Sequence, residues 1–130
     1  MLADTAFVID IMRKDQGALR KAEDLSDAST SVLVGSPTVF ELYVGVGLSI
    51  RSSEERERIL STLKSLPHLP LDSASASKAG LIYAQRVKEK IMIDPEDAML
   101  AGIATQNNMP LITRNKKHFA GIPDLKLETY

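Results

Sequence analysis

Three acidic residues stand out for the company they keep. Asp4 follows a short apolar opening and precedes a helix-forming stretch, Glu41 sits inside Val39-Phe40-Glu41-Leu42-Tyr43-Val44, and Asp97 closes Asp94-Pro95-Glu96-Asp97 just ahead of the apolar run Ala98 to Ala104. Two of the three have a plain structural use: Asp4 as a helix N-cap, and Asp97 as the third residue of a capping-box variant opened by Asp94 and Pro95. Asp94 itself is assigned mainly to capping, and Glu96 to complementing the helix dipole. Glu41 lies beyond the first turn of its helix, where no cap needs it. Burying an unpaired carboxylate costs several kcal/mol, so Glu41 needs a cation, a proton or strong donors, unless it faces solvent on a stripe with Thr38 and Gly45. If the three acids converge, one hard divalent ion, Mg²⁺ or Mn²⁺, compensates them. Without that ion, their mutual repulsion raises at least one carboxyl pKa.

Other chemistries are poorly supplied. The chain has no cysteine, which removes disulfides, thiolate nucleophiles and Cys-type zinc sites, and its imidazoles are His68 and His118 alone. No Ser-His-Asp constellation is evident. Hydrolysis of a phosphodiester by a metal-activated water requires no nucleophilic side chain and fits this inventory. Arg114, Lys116 and Lys117 can draw an RNA backbone towards an otherwise acidic site, their alternative use being a solvated turn. His118 is expected to cap or pack the short turn from Lys116 to Phe119, with Phe119 in the core.

The elements that must position these residues alternate between short β-rich runs and longer helical patterns, the mark of an α/β fold with a parallel sheet covered on both faces. Five strands are expected, at about Met1 to Asp4, Val32 to Gly35, Leu69 to Leu71, Leu111 to Thr113 and Lys126 to Glu128. Helices are expected over Ala6 to Met12, Gln16 to Leu25, a segment opened by Ser36-Pro37, Glu54 to Leu66 and Ala74 to Glu89. A last helix starts at Asp94-Pro95. The Glu54 to Leu66 helix is amphipathic and superficial; the Ala98 to Ala104 stretch, lacking a polar side chain, is expected inside the fold. With 130 residues, 44% of them hydrophobic, one domain spanning 1–130 is expected, burying about two-thirds of its unfolded surface.

Composition narrows the partners. The net charge is -1, from 16 Lys and Arg against 17 Asp and Glu, so nucleic acid must be held locally rather than by a basic coat. Three Phe, three Tyr and no Trp leave little material for stacking on unpaired bases. Met1 to Ile9 carries Asp4 and no cationic lead, and no apolar run is long enough to cross a bilayer, so a cytoplasmic protein with no membrane partner is expected.

Four segments resemble the PIN-domain family, specifically the VapC-type toxins of toxin-antitoxin pairs. They are Asp4-Thr5 after the opening strand, Thr38-Val39-Phe40-Glu41-Leu42, Asp94 to Ala101, and Thr113-Arg114-Asn115-Lys116-Lys117-His118-Phe119, in the family's order and nearly end to end. The resemblance implies a three-layer α/β/α sandwich around a five-stranded, mainly parallel sheet. It implies that Asp4, Glu41 and Asp97 hold the metal, with Thr113 and Asn115 shaping the site and Thr5, Thr38 and Asp94 supporting it. It further implies an endoribonuclease leaving 5′-phosphate and 3′-hydroxyl ends, a cognate antitoxin that blocks the active-site groove, and a homodimer. Many PIN domains carry a fourth acid where this chain has Asn115, so a second metal position is weak or depends on Asp94 or substrate phosphate.

Two other functions compete. A phospho-acceptor receiver domain also uses five parallel strands, with Asp72 after the third and Thr113 after the fourth, but it leaves Glu41 and Asp97 without a role. A PIN-like module that has lost catalysis and only binds RNA or protein is the other.

Overall fold

The computed structural model describes residues 1–48 and 53–130. Its strands are β1 (Leu2–Ala3), β2 (Leu33–Gly35), β3 (His68–Leu69), β4 (Leu111–Ile112) and β5 (Leu127–Glu128). Its helices are α1 (Thr5–Met12), α2 (Gln16–Asp27), α3 (Ser36–Leu48), α4 (Ser53–Ser65), α5 (Ser73–Lys88), α6 (Pro95–Gln106) and the single turn α7 (Lys116–Phe119). Strand β3 starts one residue before the expected Leu69 and stops at Pro70, which has no N–H to continue a ladder.

The sheet order is β3-β2-β1-β4-β5, and every pairing is parallel. Period-two alternation builds a layer on each face. Ala3, Val34 and Ile112 face one side, where they pack with Phe7, Leu25, Leu42, Ile59 and Leu63 from α1 to α4. Leu2 and Leu111 face the other, with Leu100, Ile103 and Phe119 from α6 and α7. Residues 98, 100–104 are all buried, as their uniform apolarity predicts. Among the described residues no helix is long and apolar enough to cross a membrane.

Helix α5 departs from its sequence pattern. Of Ala76, Ala79, Tyr83, Ala84 and Val87, only Ala79 is buried; the inner face runs through Ser75, Ala79 and Arg86. The cause is close packing with α6. A Cβ on Gly102 would lie 2.5 Å from the Ser75 carbonyl oxygen and 2.8 Å from the Ala79 Cβ, so small residues set the contact line and turn Leu81, Tyr83 and Val87 outward. Arg86 is buried as well, its guanidinium donating to the Ala120 carbonyl.

Candidate active site

In this strand order the chain leaves β1 towards β2 and β3 on one side and returns to β4 and β5 on the other, so the topological switch point lies between β1 and β4. Open α/β sheets bind ligands in the crevice beyond the carboxyl ends of the strands there. Asp4 is the residue after β1 and Thr113 the residue after β4. Both are buried, Asp4 at 4% exposure and Thr113 at 0%.

Asp4 caps α1, Oδ1 accepting from the Phe7 N–H at 2.7 Å, and it also accepts from the Thr113 hydroxyl. Capping and a place in the site are thus not alternatives: one carboxylate does both. Thr113 Oγ1 in turn accepts from the Asn115 N–H at 2.9 Å, which fixes the turn leading into α7. The Asn115 side chain makes no capping bond.

Glu41 is carried by α3, which leaves β2 directly through Ser36-Pro37. Its Oε2 accepts from the Thr5 hydroxyl. Thr5 Oγ1 lies 3.2 Å from Thr38 Oγ1, and since its one proton goes to Glu41, Thr38 is the donor of that pair. Thr38 is fully buried and Glu41 half-buried while Gly45 is exposed, so the solvent-facing stripe ends at Glu41 and does not reach Thr38.

Asp97 is the third residue of α6, where the capping-box reading places it, but the box itself does not form. Asp94 occupies the N-cap position without a side-chain bond and is exposed. The physical reason is the alternative partner: Asp97 Oδ2 lies 3.2 Å from His118 Nδ1, drawn to the imidazole rather than back to the cap. His118 therefore does more than pack its turn. Phe119 is in the core as expected, at 2% exposure.

The three acids share an electrostatic environment. Burial, first, raises the pKa of Asp4, Glu41 and Asp97 alike. Repulsion from Asp97 adds to the rise at both Asp4 and Glu41, and Asp4 adds to it at Glu41. Asp97 is raised further by Asp94 and Glu96, against the opposing pull of His118. Three desolvated acids with further acids beside them form a site short of positive charge.

The basic residues divide. Lys116 and Lys117 are exposed on α7, available to a polyanion. Arg114 is not a free surface cation: its Nη1 lies 2.7 Å from Asp10 Oδ2, because a buried carboxylate at 4% exposure needs a compensating charge. Tyr130 donates its phenol proton to the same oxygen at 2.8 Å. Neither Asp10 nor Tyr130 was singled out by the sequence. Asp10 carries the signal that drew attention to Glu41, a lone acid in an apolar helix (Thr5-Ala-Phe-Val-Ile-Asp10-Ile-Met12), whereas Tyr130 carries none.

Asp72, the acceptor a receiver domain would need, is an exposed N-cap of α5 that accepts from the Ser75 N–H at 2.8 Å. It follows β3, which lies at the sheet edge, whereas receiver sheets run 2-1-3-4-5 with the third strand central. The receiver alternative is overturned by that order.

A parallel sheet of this order with acids at its switch point defines a class, and comparison with known proteins agrees. The PIN domain family model matches residues 1–125. The chain is 30% identical over 131 aligned positions to ribonuclease VapC1 of Methanocaldococcus jannaschii, covering 100% of this chain and 86% of that protein. It is similar in fold to the crystal structure of VapBC2 from Rickettsia felis bound to a promoter DNA fragment, with a TM-score of 0.87 at 22% identity over 99% of this chain and 97% of that one. DNA-bound VapBC from Salmonella typhimurium gives a TM-score of 0.79 at 25% identity, over 98% and 96% of the two chains. The protein belongs to the PIN-domain family.

Proposed function

We infer that the protein is a single-domain, metal-dependent endoribonuclease, the toxin of a toxin-antitoxin pair. The observation that carries this reading is the placing of Asp4, Glu41 and Asp97 about the switch point, each with its anionic form disfavoured by burial and by neighbouring acids. The donor set fits a hard divalent ion: carboxylate oxygens, a neutral Asn115 and no sulfur. Among the described residues no three acidic or imidazole side chains stand close enough to grip one ion together, so closure of the three carboxylates on Mg²⁺ or Mn²⁺, which keep several waters, is part of the proposal. When bound, such an ion lowers the pKa of a water and neutralises charge on the phosphoryl oxygens.

The chain's own residues orient that chemistry. Thr113 and Phe7 fix the Asp4 carboxylate, the Thr38–Thr5 hydroxyl pair fixes Glu41, and His118 fixes Asp97. Lys116 and Lys117 offset the repulsion that these acids exert on an approaching phosphate backbone. Asp94 and the substrate phosphate are the groups left to support a second ion. Products carrying 5′-phosphate and 3′-hydroxyl ends are expected.

Relatives of this chain include a tRNA(fMet)-specific endonuclease VapC of Salmonella typhimurium, 23% identical, and the similar solved structures include VapBC complexes. An antitoxin partner follows, and a groove suits it: Ile9, Met12, Leu42, Leu48 and Ile59 line a cleft between α1, α3 and α4 that has Glu41 in its wall, so a segment lying there covers the site. The outward Leu81, Tyr83, Val87, Ile91 and Met92 offer a homodimer face. A cytoplasmic location suits the cysteine-free chain.

RNA cleavage by the pure protein with Mg²⁺, Mn²⁺ or EDTA tests the reading, beside Asp4→Asn, Glu41→Gln and Asp97→Asn. Each variant is expected to lose at least about a hundredfold, or about 2.7 kcal/mol of transition-state stabilisation. Full activity in EDTA, or in a folded Glu41→Gln variant, refutes it.

A further inference from the structure

Asp10 is a buried carboxylate that the proposed chemistry does not use. It lies one and a half turns along α1 from Asp4, at 4% exposure, and its Oδ2 collects both Arg114 Nη1 at 2.7 Å and the Tyr130 phenol at 2.8 Å. The Tyr130 ring is itself braced edge-on against Phe7, centroids 4.8 Å apart at 63°, and Phe7 is the residue whose N–H holds Asp4. The trio therefore stands at the wall of the acid cluster, and the Arg114 charge is felt at Asp4.

The Asp10–Arg114 pair is lopsided. Here the Asp10 side chain is 6% exposed while that of Arg114 is 53% exposed, so the guanidinium is anchored by one nitrogen and leaves other donors to solvent. An arginine fork held in one orientation loses less freedom on meeting a phosphate than a flexible lysine does. Lys116 and Lys117, one turn further on, have no ion pair among the described residues to hold them.

We propose that Asp10 and Tyr130 are positioning residues that aim Arg114 at a backbone phosphate of the bound RNA beside the acid cluster. The proposal rests on the ribonuclease reading and adds to it which residues orient the phosphate-binding cation. Charge alone and orientation predict opposite signs. Removing a negative charge by Asp10→Asn strengthens RNA binding if only net electrostatics matters, and weakens it if Arg114 has lost its aim.

The test measures binding of a short fluorescent single-stranded RNA in Mg²⁺ at several salt concentrations, in a Glu41→Gln background so that nothing is cleaved. Thermal melts of each variant accompany it. Expected are a roughly 3- to 10-fold weaker Kd for Asp10→Asn, the fold equivalent of releasing one long side chain, and a smaller weakening in the same direction for Tyr130→Phe. For Arg114→Ala the slope of log K against log salt should shrink by about 0.7, one phosphate contact on a single strand. Arg114→Lys should restore the slope but not the affinity. Tyr130→Phe changes no charge at neutral pH and decides the matter should Asp10→Asn fail to fold. If the parent binds no RNA, the ribonuclease reading falls and this inference with it. If the parent binds and the folded Asp10 or Tyr130 variants bind as tightly or more tightly, the positioning role alone is overturned.

Discussion

Replacing glycine by alanine inside a helix usually stabilises it, by about 0.5–1 kcal/mol, because the unfolded chain loses freedom and the helix gains propensity. Gly102 in α6 and Gly80 in α5 carry opposite expectations. At Gly80 in α5 a new Cβ meets nothing within 4 Å, so Gly80→Ala should show the ordinary gain. At Gly102 in α6 the same methyl would sit 2.5 Å from the Ser75 carbonyl oxygen and 2.8 Å from both the Ala79 nitrogen and Cβ. Backbone atoms of a packed helix cannot give way as a flexible side-chain tip can, so α6 must move off α5. Overpacking of this kind costs about 1–3 kcal/mol and here exceeds the propensity gain. An unfolding entropy of about 2.1 cal/mol/K per residue, over 130 residues, converts each kcal/mol to roughly 4 °C. Gly102→Ala should therefore melt several degrees lower than wild type and Gly80→Ala about 2–4 °C higher. Because α6 carries Asp97 a turn and a half away, Gly102→Ala should also weaken Mn²⁺ binding measured by calorimetry. A Gly102→Ala protein that melts at or above the wild-type temperature refutes the packing argument, whatever its activity.

The acid cluster fixes the sign of a pH effect. Asp97 has a folded-state pKa above its ordinary 3.8, chiefly through burial, so its contribution to stability is present below that ordinary value and is lost as pH rises through the higher folded value. In EDTA, Asp97→Asn should match wild type near the acid end of this window and melt higher than wild type above it; equal melting at neutral pH would contradict the desolvated site. Adding Mg²⁺ or Mn²⁺ at about a hundred times Kd should stabilise wild type by roughly 2.7 kcal/mol, about 10 °C, and leave Asp97→Asn unmoved in differential scanning fluorimetry. Thr5→Val strips the donor from Glu41 and orphans the buried Thr38 hydroxyl. It should cost about 1–3 kcal/mol in denaturant titration and about 10- to 100-fold in metal affinity, both largely rescued by Thr5→Ser.

Much of this fold follows from local pattern. Short apolar runs at Leu2-Ala3 and Leu111-Ile112 and the uniform apolarity of 98–104 mark strands and a buried helix because burial is a property each residue expresses in its own sequence neighbourhood. Glu41 was legible for the complementary reason: an acid among Val39, Phe40, Leu42 and Val44 conflicts with its surroundings unless something compensates it. What escaped was relational. That β3 takes the edge rather than the centre is decided by crossover packing, and only that order excludes a receiver. Asp94 has the right type at the right offset for a cap, yet Asp97 found His118, 21 residues away. Arg114 was readable as a cation, but its carboxylate partner lies across the fold on α1 and is completed by Tyr130, 120 residues from Asp10. The inner face of α5 was hidden because small residues, Ser75 and Gly102, set it where pattern reading favours large ones.

The threonine pair beside Glu41 has directionality. While the carboxylate is ionised, each hydroxyl points its hydrogen the same way, from Thr38 to Thr5 to Glu41. A proton on the Oε2 that Thr5 serves would reverse the row, and Thr38, sealed from water, would then turn its hydrogen to a carbonyl of its own helix, whereas a proton on Oε1 leaves the row as it is. The sense of the row thereby reports which Glu41 oxygen carries a proton, and a vibrational or isotope-exchange signature at Thr38 would read it from inside the fold.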